Sequence, residues 1–310
     1  MAWATARSAL ALLAGLGLLA LRGRHGSGVH VVRISRVVAD LDRAVAFYRD
    51  GLGFRPVSRG QGDAALPALL GSPAASTEEA VLRLGGEEIA LVRFDPPGMP
   101  YPADSQSDDL WFQHLAIVVD DMAAAWRRLA AQSPRSISTN GPERLPPHNG
   151  GVVAVKFRDP DGHPLELIQF PPGGGRPVWQ RMAGAGSGPF LGIDHSALAV
   201  ASTARSLRFY RRLGFRVASR SWNDSPAQSR LDGLPGARVR VTGLRFPSPA
   251  GPGLELLRYA PPGRPAPALP ANALLTDWVT LSASPAGLRR DHVGLCRDPD
   301  GHRVLLTGGP

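Results

Sequence analysis

The sequence predicts an α+β fold built from four β-α-β-β-β units, the last of them truncated. Two internal repeats indicate this fold. The segment "DLDRAVAFYRDGLGF" (residues 40–54) returns as "STARSLRFYRRLGF" (202–215), and "RDPDGHPLELIQF" (158–170) returns as "RDPDGHRVLLTGG" (297–309). Self-similarity of this kind is typical of repeated supersecondary units. The 36 glycines and 30 prolines agree with many turns between short elements.

Units one and three each begin with a short apolar strand, "VRISRVV" from Val32 and "DHSALAV" from Asp194. A helix follows each strand, because apolar residues recur there at helical spacing and a glycine ends the run. Further strand-like segments complete each unit. They are "AVLRLGG" and "EIALVRF" in unit one, and "RVRVTGL" and "GLELLRY" in unit three.

Unit two has a strand and helix in "FQHLAIVVDDMAAAWRRLA", followed by a hairpin around Asp-Pro-Asp-Gly, which is turn chemistry. Unit four has only "DWVTLSA" and the second copy of that hairpin. The stretch after Trp278 is too short for the helix that unit two carries at residues 121–131. We therefore expect unit four to be truncated.

Composition limits the class of protein. A chain of 310 residues with 43% hydrophobic content builds globular domains, and its net charge of +9 is spread along the chain rather than blocked. We therefore expect no nucleic-acid partner. Cys296 is the only cysteine, which excludes an internal disulfide and favours a small buried residue over a nucleophile.

Four regions divide the chain. They are an N-terminal apolar segment (1–28), a first half with units one and two (29–172), a glycine- and proline-rich linker (173–189), and a second half with units three and four (190–310). The apolar run 9–21 is shorter than the roughly 20 residues of a membrane helix. A signal peptide, an uncleaved anchor and a start codon assigned too early remain open, so the predicted location is cytoplasmic, or exported or anchored if the segment is genuine.

With "FY…LGF" after the helix and "DPDGHPLEL" near the end of a unit, residues 31–307 resemble the vicinal oxygen chelate superfamily. This superfamily includes glyoxalase I, extradiol dioxygenases and bleomycin resistance proteins. The resemblance implies that two units pair edge to edge into a curved mixed sheet around a cavity that holds a divalent metal. Each unit can offer one ligand on its first strand and one on its last.

Transferred residue by residue, the resemblance implies ligands in two units only. Unit two has His114 and Glu166, and unit three has His195 and Glu255. Imidazole and carboxylate are suitable ligands for such metals. The equivalent positions hold Arg33 and Ala90 in unit one, and Trp278 and Leu305 in unit four. A four-ligand site therefore requires unit two to pair with unit three, whereas sequential pairing would divide the ligands between two cavities.

The resemblance implies a metal-dependent lyase or isomerase of the glyoxalase I type. It would act on a small oxygen-chelating substrate through an enediolate, with Glu166 or Glu255 moving a proton. The divalent metal is Ni, Zn, Fe, Mn or Co. Two alternatives remain: an extradiol-type Fe(II) dioxygenase, and a non-catalytic protein that binds or sequesters a small ligand, which sequential pairing would favour.

Other polar residues have simpler interpretations. His163 and His302 follow the same turn in both copies, including the copy without ligands, so we interpret them as structural hairpin residues. A polar loop with Asn223, Gln228 and Arg230 could close over a substrate or be an ordinary solvated loop.

Overall fold

The computed structural model describes residues 29–184, 186, 188–248, 250–267, 270, 272–282 and 294–307. Unit one has helices on both sides of its second strand. Its elements are β1 (His30–Val37), α1 (Leu41–Ala46) continued by a π-helical turn (Phe47–Gly51), β2 (Arg55–Gln61), α2 (Leu66–Leu70), β3 (Ser76–Leu84) and β4 (Glu87–Asp95).

Unit two has the same order with shorter outer strands. Its elements are β5 (Gln113–Val119), α3 (Met122–Ala130), β6 (Arg135–Ser136), β7 (Glu143–Arg144), a 3-10 turn (Pro147–Asn149), β8 (Val153–Arg158) and β9 (Pro164–Gln169). The predicted linker contains α4 (Pro177–Met182). In α4, Trp179 is buried and donates a hydrogen bond from its indole nitrogen to Asp194 at 2.7 Å.

Unit three repeats unit one, and the described part of unit four consists of three strands. Unit three contains β10 (Phe190–Ala199), α5 (Thr203–Arg212), β11 (Arg216–Asn223), α6 (Pro226–Asp232), β12 (Val239–Arg245) and β13 (Gly253–Tyr259); unit four contains β14 (Asp277–Ser282), β15 (Gly294–Arg297) and β16 (Arg303–Thr307). The sequence predicted that unit four has no helix after its first strand. The residues concerned, 283–293, lie outside the described part of the chain.

Four helices, α1, α3, α5 and α6, begin with the same kind of N-cap. Their N-cap side chains each accept a hydrogen bond from the backbone N–H three residues later, and they are Asp40, Asp121, Ser202 and Ser225. An N-cap of this kind satisfies one of the donors that a first helical turn leaves without a partner. The repeat seen in the sequence is therefore also a repeat of helix starts.

Two mixed sheets result, and neither closes into a barrel. The first has the strand order β15-β16-β14-β1-β4-β3-β2; the second has the order β11-β12-β13-β10-β5-β9-β8-β6, with β7 also on β8. Unit one therefore shares a sheet with unit four, and unit two shares a sheet with unit three. The predicted α+β class is confirmed. The division into halves at 29–172 and 190–310 stays a prediction, and each sheet contains units from both.

Side chains alternate between the two faces of each strand, and the two faces differ in role. On β5, Leu115 and Ile117 belong to a large apolar core that also contains residues of the first sheet and of α1, α3 and α5. His114 and Ala116 point to the opposite face. The shared core therefore holds the sheets together and leaves one face of each sheet free for another use.

The Asp-Pro-Asp-Gly-His turns also join the two sheets. The hydroxyl of Tyr48, in unit one, donates to Asp159 in the turn of unit two at 3.1 Å. The hydroxyl of Tyr210, in unit three, donates to Asp298 in the turn of unit four at 3.3 Å. The same turn and the same helix tyrosine thus form matching contacts in both halves.

The turn histidines have the structural role that the sequence predicted. The ring Nε2 of His163 lies 2.7 Å from the carbonyl oxygen of Leu274, and that of His302 lies 2.8 Å from the carbonyl oxygen of Ala199. Both rings are buried. Each is thus hydrogen-bonded to the backbone of a neighbouring segment.

Glu87 forms a polar contact between the sheets, since its Oε2 accepts a hydrogen bond from the backbone N–H of Ile193 at 3.3 Å. Burial raises the pKa of Glu87 from 4.5 to about 7. The folded protein therefore binds this proton more tightly than the unfolded chain does. Between about pH 4.5 and pH 7 the contribution of Glu87 to stability must fall as pH rises.

We predict that the stability of Glu87→Gln relative to the wild type is greater at pH 8 than at pH 5. The difference between variant and wild type in free energy of unfolding should change by about 2–3 kcal/mol across that range, since one pKa unit corresponds to about 1.4 kcal/mol. Urea unfolding at both pH values measures it. The hydrogen bond to Arg59 lowers the pKa of Glu78, so this carboxyl stays ionised across the range and Glu78→Gln is a control whose difference should not change with pH. An unchanged difference for Glu87→Gln would contradict the prediction.

Candidate functional site

The antiparallel pairing of β5 with β10 positions two histidines. His114 is opposite Ala197 and Ala116 is opposite His195, so the histidines are related by the approximate twofold symmetry of the strand pair. Residues two apart on a strand share a face. Both rings therefore project from the same face of the second sheet, with ring centroids 5.7 Å apart.

The last strand of each unit brings a glutamate to the same face. β9 runs parallel to β5 with Glu166 opposite Ala116, and β13 runs parallel to β10 with Glu255 opposite Ala197. The two registers are equivalent. Glu166 and Glu255 thus occupy matching positions on either side of the central strand pair.

The four side chains converge. Glu166 Oε2 lies 3.1 Å from His114 Nε2 and 3.9 Å from His195 Nε2, and Glu255 Oε2 lies 3.4 Å from His195 Nε2. One ligand atom each of His114, Glu166 and His195 lies within 4.8 Å of the other two. Glu255 is outside this group of three. Its side chain is 26% exposed, whereas that of Glu166 is 8% exposed.

The nitrogen atoms of the site are suited to a metal ion. His114 Nδ1, His114 Nε2 and His195 Nε2 are buried without a hydrogen-bond partner among the described residues. The 3.1 Å contact of His114 with Glu166 is close enough for an ion pair but lacks hydrogen-bond geometry. Buried polar atoms normally have partners. A divalent cation held by the two Nε2 atoms and Glu166 would be a partner for both of these nitrogens.

Asp194 orients one of the two rings. Its Oδ2 lies 3.1 Å from His195 Nδ1, and its other partners are the indole of Trp179 and the guanidinium of Arg245. A carboxylate on Nδ1 places the proton there and leaves Nε2 as the atom directed at the site. Metal-binding histidines commonly have this arrangement.

The two histidines have opposite pKa shifts. Burial lowers the pKa of His114 to about 4 and so keeps its ring neutral. Burial would also lower the pKa of His195, but Glu255, Asp194 and Glu166 outweigh it and raise that pKa to about 9. Likewise, burial alone would raise the pKa of Glu166, but His114, Lys156 and His195 lower it to about 2.

A buried ion pair lies beside the four residues. Lys156 is directly opposite Glu166 on β8, and its Nζ is 2.6 Å from Asp232 Oδ1 at the end of α6. Gln228 Nε2 donates to the second oxygen of Asp232 at 2.8 Å. Asp232 thus compensates most of the charge of Lys156, while the ammonium still helps to lower the pKa of Glu166.

Sequence reasoning did not assign Asp194, Lys156 or Asp232 to the site. Signals for the first two were present, because Asp194 directly precedes His195 and Lys156 is the only lysine of the chain. Asp232 carried no signal. Gln228 is buried in its network, and Arg230 forms an ion pair with Glu143 at 2.6 Å.

The first sheet has a different composition at the equivalent positions. Its registers place Arg33 and Trp278 where unit two and unit three have histidine, and Ala90 and Leu305 where they have glutamate. This confirms the alignment made from the sequence. Three of these residues pack in an apolar cluster with Leu66 and Leu70 of α2. That face is therefore filled by hydrophobic side chains, none of which is a metal ligand.

The remaining candidates lie elsewhere. Cys296 is a partly buried free thiol on β15, and burial raises its pKa. The N-terminal segment 1–28 lies outside the described residues. Among the residues that are described, no helix has the length and apolar character needed to cross a membrane.

Four units of the β-α-β-β-β type form two sheets, and one of these sheets carries the buried His/Glu cluster. Known proteins with similar sequence or structure have the same kind of fold. Residues 29–167 match the model of the Glyoxalase/Bleomycin resistance protein/Dioxygenase superfamily. No curated protein matches the chain significantly.

Among solved structures, glyoxalase I from Zea mays is similar, with 18% identity, a TM-score of 0.57, and 90% of this chain and 92% of that chain covered. A putative dioxygenase from Bacillus subtilis has 13% identity, a TM-score of 0.56, and coverage of 91% and 86%. At these identities the similarity concerns the fold alone. The chain thus has the fold of the glyoxalases, and residues 29–167 carry the sequence pattern of the Glyoxalase/Bleomycin resistance protein/Dioxygenase superfamily.

We predict that Asp232→Ala lowers the free energy of unfolding by about 3–5 kcal/mol, because it leaves the buried ammonium of Lys156 without a partner. The double variant Lys156→Met/Asp232→Leu should recover most of that loss, since it removes both charges. Urea unfolding at pH 7 measures both. If Asp232→Ala is as stable as the wild type, the prediction is contradicted, because Asp232 would then not stabilise the buried ammonium of Lys156.

Proposed function

We propose that this protein is a metal-dependent lyase or isomerase of the glyoxalase I type, acting on a small oxygen-chelating substrate. The observation that carries the proposal is the convergence of His114, Glu166, His195 and Glu255 on one face of the second sheet. A divalent ion held there would polarise two adjacent oxygens of a substrate. Ni, Zn, Fe, Mn and Co all accept imidazole and carboxylate ligands.

The three close residues and the fourth have different proposed roles. His114, Glu166 and His195 would hold the ion, because their ligand atoms lie together and both rings have a free Nε2. Glu255 is more exposed and lies at the edge of the group. We assign it the proton transfer: its carboxylate would remove the proton from one carbon of an α-hydroxycarbonyl group and return it to the neighbouring carbon through an enediolate.

A second candidate is an extradiol-type Fe(II) dioxygenase. The group of two histidines and one carboxylate favours it, because that set leaves coordination positions open. In this case Glu255 would take no part in holding the ion. A purely binding protein has less support, because the argument for it was sequential pairing of the units, and the sheets pair unit two with unit three.

We predict one divalent ion per chain, lost in His195→Ala. Elemental analysis of purified protein, after dialysis against each of the five metals, measures the stoichiometry. His148→Ala is the matched control, because His148 is exposed and distant in sequence from the group. Chelation should lower the melting temperature of the wild type but not of His195→Ala, since bound ligand stabilises the folded state. Equal metal content in His195→Ala and wild type would contradict the proposed site.

We predict that Glu255→Gln retains the metal and slows proton transfer by roughly 10²- to 10⁴-fold, the range for loss of a general base. Exchange of the carbon-bound proton of α-hydroxycarbonyl compounds in D₂O, followed by NMR without oxygen, measures the rate. The dioxygenase alternative predicts instead oxygen uptake with a vicinal diphenol and Fe(II). Loss of exchange in Glu166→Gln with metal retained, and unchanged exchange in Glu255→Gln, would reverse the two roles.

A further inference from the structure

A separate cavity of about 690 Å³ lies where unit four approaches the start of unit two. Its walls include the apolar side chains of Leu110, Trp111 and Leu275. Its charged walls include Arg297, Arg303 and Asp277. None of the four residues of the His/Glu group lines it. A cavity of this size is typical of small-molecule sites, which combine apolar walls with a few polar groups.

Two arginines meet on one side of this cavity. Arg297 on β15 is directly opposite Arg303 on β16. Neither forms an ion pair with another described residue, and the Nε of Arg303 is buried without a hydrogen-bond partner. Arg303 is only 8% exposed. Like charges opposite each other on neighbouring strands are destabilising. A bound anion would therefore offset the repulsion between these two guanidinium groups.

The electrostatics of Arg303 agree with that geometry. Burial lowers the pKa of Arg303 to about 10, and the charge of Arg297 adds to the effect, while Asp277 opposes it. The guanidinium is thus desolvated without full compensation. An oxyanion is the partner that its planar donors fit best.

The other wall offers a buried acceptor. Asp277 is 6% exposed, and its Oδ2 lies 3.2 Å from the Nε of the fully buried Arg36. Its Oδ1 has no hydrogen-bond partner among the described residues. His163 Nε2 lies 3.6 Å from Oδ1, and that nitrogen already contacts the carbonyl oxygen of Leu274. A ligand could donate a hydrogen bond to Oδ1 without displacing another contact.

The remaining acids of the cavity are engaged. Asp298 accepts hydrogen bonds from the backbone N–H groups of Asp300 and His302 and from the hydroxyl of Tyr210. Asp300 accepts a hydrogen bond from the backbone N–H of Ala201. Among the charged groups that line the cavity, the buried atoms without a hydrogen-bond partner are therefore the Nε of Arg303 and the Oδ1 of Asp277.

We propose that this cavity binds a small carboxylic acid that carries an N–H or O–H donor next to the carboxylate and has an apolar body. The carboxylate pairs with Arg303, the donor contacts Asp277 Oδ1, and the body packs against Trp111 and Leu275. Aromatic α-amino acids and α-hydroxy acids both have this chemistry. The proposal does not rest on the function proposed for the His/Glu group.

Four matched probes test the proposal by calorimetry on the full chain. Phenylalanine and phenyllactate have the carboxylate and a donor, 3-phenylpropionate lacks the donor, and phenethylamine lacks the carboxylate. We expect at least one of the first two to bind at least 10-fold more tightly than 3-phenylpropionate, and phenethylamine not to bind. Comparing phenylalanine with phenyllactate distinguishes an amino acid from a hydroxy acid. Absence of binding for both at millimolar concentration would overturn the proposal.

Variants locate the bound probe. Arg303→Gln should weaken binding at least 10-fold, and Asp277→Asn should reduce the advantage over 3-phenylpropionate, because a neutral amide oxygen is a weaker acceptor than a carboxylate. Arg212→Gln, on the exposed end of α5, is the matched control. His195→Ala should leave binding unchanged, which separates this site from the metal site. If Arg303→Gln does not fold, as judged by circular dichroism, the exposed Arg297→Gln should weaken binding several-fold. Unaltered affinity in the folded arginine variants would overturn the proposal.

Discussion

The pairing of β5 with β10 is the constraint on which the rest of the site depends. These strands begin units two and three, and their antiparallel register places His114 and His195 on one face at symmetric positions. Had the units paired in chain order, each sheet would have held one histidine and one glutamate of the four. The histidine and glutamate of unit two and those of unit three therefore form one site only because these two strands pair.

The two sheets share a core but use their outer faces differently. α2 and α6 occupy equivalent places, after the second strand of units one and three. α2 presents Leu66 and Leu70 to an apolar cluster, whereas α6 presents Gln228 and Asp232 to a buried polar network. One face thus contributes hydrophobic stabilisation, and the other holds charged groups that hydrophobic burial alone could not retain.

Local patterns in the sequence were enough to predict the repeated units and the alignment of their strands. Helix starts, apolar spacing and the Asp-Pro-Asp-Gly turn are all encoded within a few residues, and the registers agree that Arg33 and Trp278 are equivalent to the two histidines. The contact between Lys156 and Asp232 could not be predicted in this way, because it joins residues far apart in the chain. The same holds for Arg36, whose partners Tyr48 and Asp277 lie on different units. The position of Glu255 at the edge of the ligand group depends on side-chain geometry, which matching sequence positions do not reveal.

The charges of the site follow from these contacts. Asp232 neutralises Lys156, and Arg245 neutralises Asp194, so neither pair leaves a net charge near the ligands. His114 is neutral, so the negative charge near the ligands comes from Glu166 and from Glu255, and burial raises the pKa of Glu255 above its usual range. The raised pKa of His195 is the response of the protein alone, since a proton on its ring offsets part of that negative charge. A divalent cation would offset both carboxylates and use the Nε2 lone pair that the proton otherwise occupies. Proton and metal thus compete for the same buried position, and the carboxylate pair that raises the affinity for one raises it for the other.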